Sequence, residues 1–143
     1  MTFQESFILE KLNTISEYTE EINHLFRFSV KEILNDSEKM HIAERLCQLI
    51  VDAMIDINQH FIKELNLKIS DDLQGTFYIL GENNVLPKNF ALKIAPVVGI
   101  RNRLVHKYDE LSPKIFIESL YKDRNDFDLY AKYINEYLIK ISN

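Results

Sequence analysis

Glycine, proline and cysteine are all scarce in this sequence. Its 143 residues include three glycines, three prolines, one cysteine and no tryptophan, whereas an average chain carries about 7% glycine and 5% proline. Because tight turns draw heavily on glycine and proline, the composition disfavours sandwiches, barrels and doubly wound sheets. With 46% hydrophobic residues, the chain is instead expected to form long helices around one core.

Two further absences bear on location. Cys47 is the only cysteine, so the chain can form no internal disulfide and no cysteine-rich zinc cluster, which is typical of a reducing cytoplasm. The first residues lack a basic region followed by an apolar stretch, and charges interrupt every window of transmembrane length. We therefore expect a cytoplasmic protein without a membrane anchor.

Negative charge dominates the composition but is unevenly distributed. The formal net charge is −5. The stretch from Pro87 to Lys107 contains five lysines and arginines and neither Asp nor Glu, so it carries +5 while the rest of the chain carries −10. This segment is either a chance cluster on a solvated helix or the part of the chain that meets an anion.

Apolar residues spaced three and four apart predict an all-α chain. We expect short helices at Val30–Leu34, around Phe77 and after Pro113, and we expect Pro96 to kink the third long helix. The four long helices are predicted at residues 3–28, 37–65, 87–108 and over the final apolar stripe from Phe127 to Ile141. The fold class is an up-and-down four-helix bundle with short accessory helices, forming a single domain over residues 1–143.

One residue interrupts the apolar stripe of the third long helix. Arg101 occupies a stripe position, and a guanidinium buried there needs a partner because burying an unpaired charge is costly. The partner is an acidic residue of the chain, solvent reached from a packed stem, or an anionic ligand. The other positions of the stripe are Phe90, Ile94, Val97, Leu104 and Tyr108.

Groups suited to phosphate chemistry accompany Arg101. Asn102 and His106 are four residues apart and share an adjoining helix face. Arginine binds a phosphate through paired donors, and histidine exchanges protons near neutral pH. The three side chains therefore supply what phosphodiester cleavage without a metal requires.

The run from Gly99 to Tyr108 resembles the signature of the HEPN ribonucleases: an arginine, a polar residue, three more residues, a histidine, one residue and a tyrosine. Residues 43–46, 56–60 and 77–87 also resemble the HepT toxins of HepT/MntA toxin–antitoxin pairs. The specific similarity covers roughly residues 40–108, and the rest of the chain follows by helix order. The resemblance implies an α-helical HEPN fold, a homodimer whose motif helices meet, and RNA cleavage without metal or cofactor.

The same resemblance implies a role for each motif residue. Arg101 would hold the scissile phosphate, and His106 would act as general base or acid during attack of the ribose 2′-hydroxyl, which leaves a 2′,3′-cyclic phosphate. Asn102 would orient the histidine or the phosphate. Tyr108 would accept AMP from an MntA-like nucleotidyltransferase antitoxin, which places a bulky anion in the cleft. Three cations are possible RNA contacts: Lys93, Arg103 and Lys107.

A shared cleft would also satisfy the charge of Arg101. In a homodimer, two copies of Arg101 and His106 would face one another, and a phosphate would supply the counter-charge that the arginine lacks in its own chain. On this interpretation the active site is composite, and the empty dimer is less stable than the RNA-bound one because the arginines repel each other.

One weak signal is set aside, so that no metal ligands are assigned, and two alternatives remain open at this point. Asp52, Asp56 and His60 recur at four-residue steps and could ligate a metal, although such rows more often form local hydrogen bonds; we expect Asp56 to orient a neighbouring helix or an arginine. The chain could be a non-catalytic HEPN module that binds a nucleotide or positions a partner nucleotidyltransferase. It could also be a helical interaction protein whose Arg101 is merely ion-paired.

Overall fold

Helices account for nearly all of the structure, a computed structural model that describes residues 4–106 and 111–142. Within these residues there is no strand, which confirms the all-α prediction, and no helix is long and apolar enough to cross a membrane. The described residues form eight helices: α1 (Glu5–Leu25), α2 (Val30–Leu34), α3 (Ser37–Glu64), α4 (Gly75–Glu82), α5 (Lys88–Ile94), α6 (Val97–His106), α7 (Pro113–Asp123) and α8 (Asn125–Ser142).

The central helix of the fold is α3. It packs against α1, α4 and α6 and more lightly against α2 and α7, and α1 also packs against α8. The long helix α1 buries the face that its spacing predicted, with Ile8, Leu12, Ile15, Ile22 and Leu25. Apolar residues from all eight helices join one buried cluster.

Side-chain caps set the boundaries between α1, α2 and α3. Ser29 and Glu32 form a capping box, in which each backbone N–H donates to the other's side chain at 3.0–3.1 Å. These bonds hold the pKa of the Glu32 carboxyl below its usual range. Asp36 caps α3 by accepting from the backbone N–H groups of Glu38 and Lys39. Because Ser29 starts a new helix, α1 ends at Leu25 rather than at the predicted Phe28.

Pro96 separates α5 from α6, and this break corrects the predicted stripe. Pro87 is the N-cap of α5 rather than part of its first turn, and α5 ends at Ile94. After a turn at residues 95–96, α6 begins at Val97, and Val98 is its only buried residue. Spacings counted through an interrupted helix no longer mark one face. The predicted stripe is therefore interrupted at Pro96, and its described positions in α6, Val97, Arg101 and Leu104, are only partly buried.

A buried polar network fixes α4 and α8 against α3. Asn58 donates through Nδ2 to Thr76 Oγ1 at 3.1 Å, and Tyr130 donates its hydroxyl to Asn58 Oδ1 at 2.6 Å. All three side chains are buried, so their polar atoms need these partners. The network therefore joins three helices, α3, α4 and α8, through buried side chains.

Candidate functional site

The helix that carries the predicted site, α6, is only lightly packed. Val98 is buried, whereas Arg101 and Asn102 are half-buried and Arg103 and His106 are exposed. The helix contains no acidic residue. It therefore presents cationic and hydrogen-bonding groups to solvent while it packs against α3 along one side.

Arg101 forms an ion pair within its own chain. Its Nε donates to Asp52 Oδ1 of α3 at 2.7 Å, and its Nη1 donates to the Oδ1 atom of Asn102 at 3.0 Å. The side chain of Arg101 is 21% exposed and that of Asp52 is 34% exposed. The prediction that Arg101 lacks a counter-charge in its own subunit is therefore wrong, because α3 supplies the carboxylate.

Arg101 nevertheless keeps donors for a ligand. A guanidinium carries five N–H groups, and within residues 4–106 and 111–142 two of them are bonded, one at Nε and one at Nη1. One N–H of Nη1 and both of Nη2 remain, on a side chain that solvent reaches. Paired N–H groups on neighbouring nitrogens match two oxygens of a phosphate. The observed ion pair is thus compatible with phosphate binding.

The predicted partners of Arg101 occupy different positions along α6. Asn102 bonds the arginine directly. His106 is the last residue of α6 and is exposed, and five residues of helix put it roughly 7.5 Å along the axis from Arg101. Lys107 and Tyr108 lie outside the described residues, so the predicted modification of Tyr108 stays a prediction.

The two remaining candidate RNA contacts differ in their surroundings. Lys93 lies on α5, and its Nζ atom pairs with Asp126 Oδ1 of α8 at 3.2 Å, although the lysine side chain is still largely exposed. Arg103 lies on α6 and lines a pocket of about 310 Å³ together with His41 and Glu44 of α3. Arg103 is therefore the cation that extends the Arg101 surface toward α3.

A larger pocket, of about 610 Å³, lies elsewhere. It is formed by the C-terminal end of α3 and the loop before α4, with Gln59, Lys63 and Asp72 among its lining residues. Asp52 lies about two turns before Gln59 on α3, and none of the described motif residues, 99–106, lines this pocket. Size alone therefore does not mark the site in this fold.

The row Asp52, Asp56 and His60 does not converge on one point. Asp52 pairs with Arg101, Asp56 pairs with Lys11 Nζ of α1 at 3.0 Å, and the ring of His60 stacks on Phe7 with centroids 4.9 Å apart. Among the residues that the structure describes, no group of three His, Cys, Asp or Glu side chains could hold a metal ion. In this structure the three side chains of the row therefore have separate partners.

One half of the expectation for Asp56 is confirmed. It contacts a neighbouring helix, α1, through Lys11, but the arginine is bound by Asp52, one turn earlier. Sequence reasoning thus missed Asp52 as a member of the site. Two features of the sequence could have indicated Asp52: the acidic row to which it belongs, and the need of Arg101 for an acidic partner on another helix.

Comparison with known proteins assigns the chain to a family. A family model described as "Ribonuclease HepT-like" matches residues 15–134. The chain belongs to the HepT-like ribonuclease family. It is 36% identical to the tRNA nuclease HepT of Aphanizomenon flos-aquae over 142 residues, which span 99% of this chain and 97% of that protein. It is 27% identical to the mRNA nuclease HepT of Shewanella oneidensis over 131 residues, which span 89% and 95%.

Solved structures confirm the HEPN fold of this HepT-like chain. The tri-AMPylated HEPN toxin of Shewanella oneidensis, solved in complex with its MNT antitoxin, matches with a TM-score of 0.85 at 23% identity, over 93% of this chain and 99% of that one. The cytosolic protein YutE of Bacillus subtilis matches with a TM-score of 0.79 at 15% identity, over 95% and 91%.

Proposed function

We propose that this chain is the toxin of a HEPN/MNT toxin–antitoxin pair and a metal-independent endoribonuclease of the cytoplasm. Membership of the family and end-to-end similarity to two RNA-cutting HepT proteins support this function. The observation that carries it is Arg101, a partly exposed guanidinium on the helix that ends at His106, with three N–H donors that bond to none of the described residues.

The proposed reaction is an internal transesterification. Arg101 holds the scissile phosphate and stabilises the negative charge that builds on its oxygens. His106, at the exposed end of α6, takes the proton of the ribose 2′-hydroxyl as base or gives a proton to the departing 5′-oxygen as acid. The 2′-oxygen bonds to phosphorus as the bond to the 5′-oxygen breaks, which yields a 2′,3′-cyclic phosphate and a 5′-hydroxyl. Because the guanidinium meets the developing charge, no metal is needed.

The active form is proposed to be a homodimer in which two α6 helices meet. In the single chain, α6 buries Val98 alone and leaves Ile100, Leu104 and Val105 partly exposed. A second copy would cover these apolar groups and bring two sets of Arg101 and His106 to one cleft. The carboxylate of Asp52 reduces the repulsion between the two arginines, so the empty cleft is electrostatically more acceptable than sequence reasoning assumed.

Neutralisation is proposed to act on Tyr108. An MNT nucleotidyltransferase partner would transfer AMP to this tyrosine, two residues beyond His106. Support comes from the similar Shewanella toxin, which is tri-AMPylated and bound to an MNT antitoxin. Each added phosphate is an anion that would compete with the RNA phosphate for the donors of Arg101.

RNA cleavage in EDTA tests the proposal. We expect the wild-type protein to cut tRNA or mRNA without a divalent ion, and Arg101→Ala and His106→Ala each to lower the rate on the order of a hundredfold or more. The products should end in a 2′,3′-cyclic phosphate, which gel mobility before and after acid opening of the cycle reveals. His24→Ala and Arg27→Ala replace an exposed histidine and an exposed arginine near the end of α1 and serve as matched controls.

The outcomes separate the alternatives. A wild-type protein that binds RNA but never cuts it would establish the non-catalytic HEPN module instead. Cleavage lost in EDTA and restored by magnesium would contradict metal independence. The third outcome has two parts: Arg101→Ala cleaves more slowly only as far as its lower melting temperature explains, and His106→Ala cleaves at the wild-type rate. This outcome would favour the interaction protein with a structural ion pair.

A further inference from the structure

The guanidinium of Arg101 is held from two helices at once. The carboxylate of Asp52, on α3, accepts from Nε at 2.7 Å, and the amide oxygen of Asn102, on α6, accepts from Nη1 at 3.0 Å. Two acceptors on different atoms of a planar group fix both its place and its rotation. Without them, a long arginine side chain on a lightly packed helix samples many rotamers.

This arrangement leaves a defined part of the guanidinium for a ligand. Nε is used by Asp52, so an incoming phosphate meets Nη2 and the remaining N–H of Nη1. A fixed donor pair loses little conformational freedom when the phosphate arrives. It also directs its N–H groups to where charge builds in the transition state.

The pair has little value as a stability device. Both side chains are partly exposed, at 21% and 34%, and ion pairs in such positions add little to folding because water screens them. The same helix offers a comparison one turn later, where Asp56 pairs with Lys11 at 3.0 Å and the side chains are 45% and 31% exposed. That second pair joins α3 to α1 and includes no residue of α6.

We propose that Asp52 is a positioning residue for RNA cleavage, which acts by fixing the guanidinium of Arg101 so that Nη1 and Nη2 face the scissile phosphate. The inference rests on the proposed ribonuclease function. Asp52 does not itself touch RNA in this scheme, and its whole effect passes through the arginine. It therefore extends the site from the motif helix α6 to the middle of α3.

Kinetics of Asp52 variants provide the first test. We expect Asp52→Ala to lower the single-turnover cleavage rate at saturating protein by on the order of tenfold to a hundredfold, with little change in the protein concentration that gives half the maximal rate. Asp52→Asn keeps an oxygen that can accept from Nε, so it should retain more activity than the alanine variant. Asp56→Ala, the control, should cleave like the wild type.

Melting temperatures complete the kinetic test. The Asp52→Ala and Asp56→Ala variants should melt within a few degrees of one another, because each loses one partly exposed ion pair. An unchanged rate in Asp52→Ala would overturn the inference. Rate losses that follow melting temperature equally in both variants would overturn it as well, since Asp52 would then be structural only.

An NMR signal of Arg101 tests the positioning without any RNA. The Nε–H resonance, assigned by its disappearance in Arg101→Lys, should lie downfield and exchange slowly with water in the wild type. It should move upfield and exchange faster in Asp52→Ala but not in Asp56→Ala. A resonance that is the same in the wild type and Asp52→Ala would contradict the proposed hydrogen bond.

Failure of the two proposals can be distinguished. In one case the wild-type protein cuts no RNA, although its Nε–H signal still depends on Asp52. This result contradicts the ribonuclease function, and the Arg101–Asp52 pair then has no role in catalysis. RNA cutting that is insensitive to Asp52 leaves the ribonuclease function standing and overturns only the role of Asp52.

Discussion

The side chain of Tyr130 is both packed in the core and hydrogen-bonded there. Its ring is fully buried and packs edge-on against Phe77, with centroids 5.9 Å apart. Its hydroxyl lies 2.6 Å from Asn58 Oδ1 and 3.1 Å from the carbonyl oxygen of Met54. Burial raises the pKa of this phenol well above its ordinary value, so the group stays a neutral donor. One residue thus joins α8 to α3 by both packing and hydrogen bonding.

Removal of this hydroxyl should destabilise the protein. We expect Tyr130→Phe to lower the free energy of unfolding by about 1–2 kcal/mol, because Asn58 Oδ1 loses its donor in a site that water does not reach. Urea unfolding followed by circular dichroism measures the change. Tyr133→Phe is the control, since the hydroxyl of Tyr133 forms no hydrogen bond with the described residues, and it should unfold like the wild type. Equal stability of both variants would show that water replaces the lost donor.

Arg101 shows where sequence reasoning stops at the residue scale. The helical spacing indicated a misplaced charge and required a partner for it. The partner, Asp52, is 49 residues away in the chain, and periodicity within a helix carries no information about which residue of another helix it faces. Phosphate sharing across a dimer was one way to satisfy the charge, and packing of α6 on α3 provided another.

At the scale of helices, several predicted bounds match the structure. The helix predicted from residue 37 begins at Ser37, and the separate helix α2 was predicted with its observed bounds. The apolar spacing over residues 90–108 predicted one kinked helix, but the structure has two separate helices, α5 and α6, in this range. Proline has no backbone N–H and its ring clashes with the preceding turn, so α5 ends before Pro96 and a separate helix, α6, begins at Val97.

Two glycines in helices should respond oppositely to substitution by alanine. A Cβ at Gly81 would stand 2.8 Å from the Cβ of Ala91, so α4 and α5 would have to separate, whereas a Cβ at Gly99 of α6 meets nothing within 4 Å. We expect Gly81→Ala to destabilise the protein by about 1 kcal/mol or more. Gly99→Ala should stabilise it by about 0.5–1 kcal/mol through reduced backbone entropy of the unfolded chain.

Thermal and urea unfolding of both glycine variants measure the difference. Stabilisation by Gly81→Ala would mean that the contact between α4 and α5 yields easily. Destabilisation by Gly99→Ala at high protein concentration, but not on dilution, would place Gly99 at a contact between two copies of the chain, as the proposed dimer through α6 allows.

Over the whole molecule, internal ion pairs reshape the charge pattern read from the sequence. The cationic segment 87–107 contributes Lys93 to a pair with Asp126 and Arg101 to a pair with Asp52. Its charge is therefore partly offset by α8 and α3, and Arg103 is its exposed cation on α6. A chain of net charge −5 thus presents a narrow cationic surface on α6, which suits contact with one phosphate of the proposed RNA substrate more than with an extended backbone.

Alkaline pH should lower the free energy of unfolding, because the fold buries two titratable groups, Cys47 and Tyr130, in their neutral forms. Burial raises the pKa of the Cys47 thiol to about 12, while the same thiol ionises at about 8.5 in an unfolded chain. Between these values the native state keeps a proton that the unfolded state has lost, so stability falls as the pH rises. We expect the free energy of unfolding to drop by about 2 kcal/mol between pH 8 and pH 10 from Cys47 alone, and Tyr130 should add to the loss above about pH 10.

Urea unfolding at pH 7.5, 8.5, 9.5 and 10 measures this dependence, and Cys47→Ala isolates its source. The alanine variant starts from a lower stability because it leaves a small cavity in α3, but it should lose less on going from pH 8 to pH 10 than the wild type does. The thiol should also resist alkylation at pH 8.5 until the protein unfolds, since the thiolate is the reactive form. Parallel pH profiles for the two proteins, or rapid alkylation of the native one, would mean that solvent reaches Cys47 through the contact between α3 and α7.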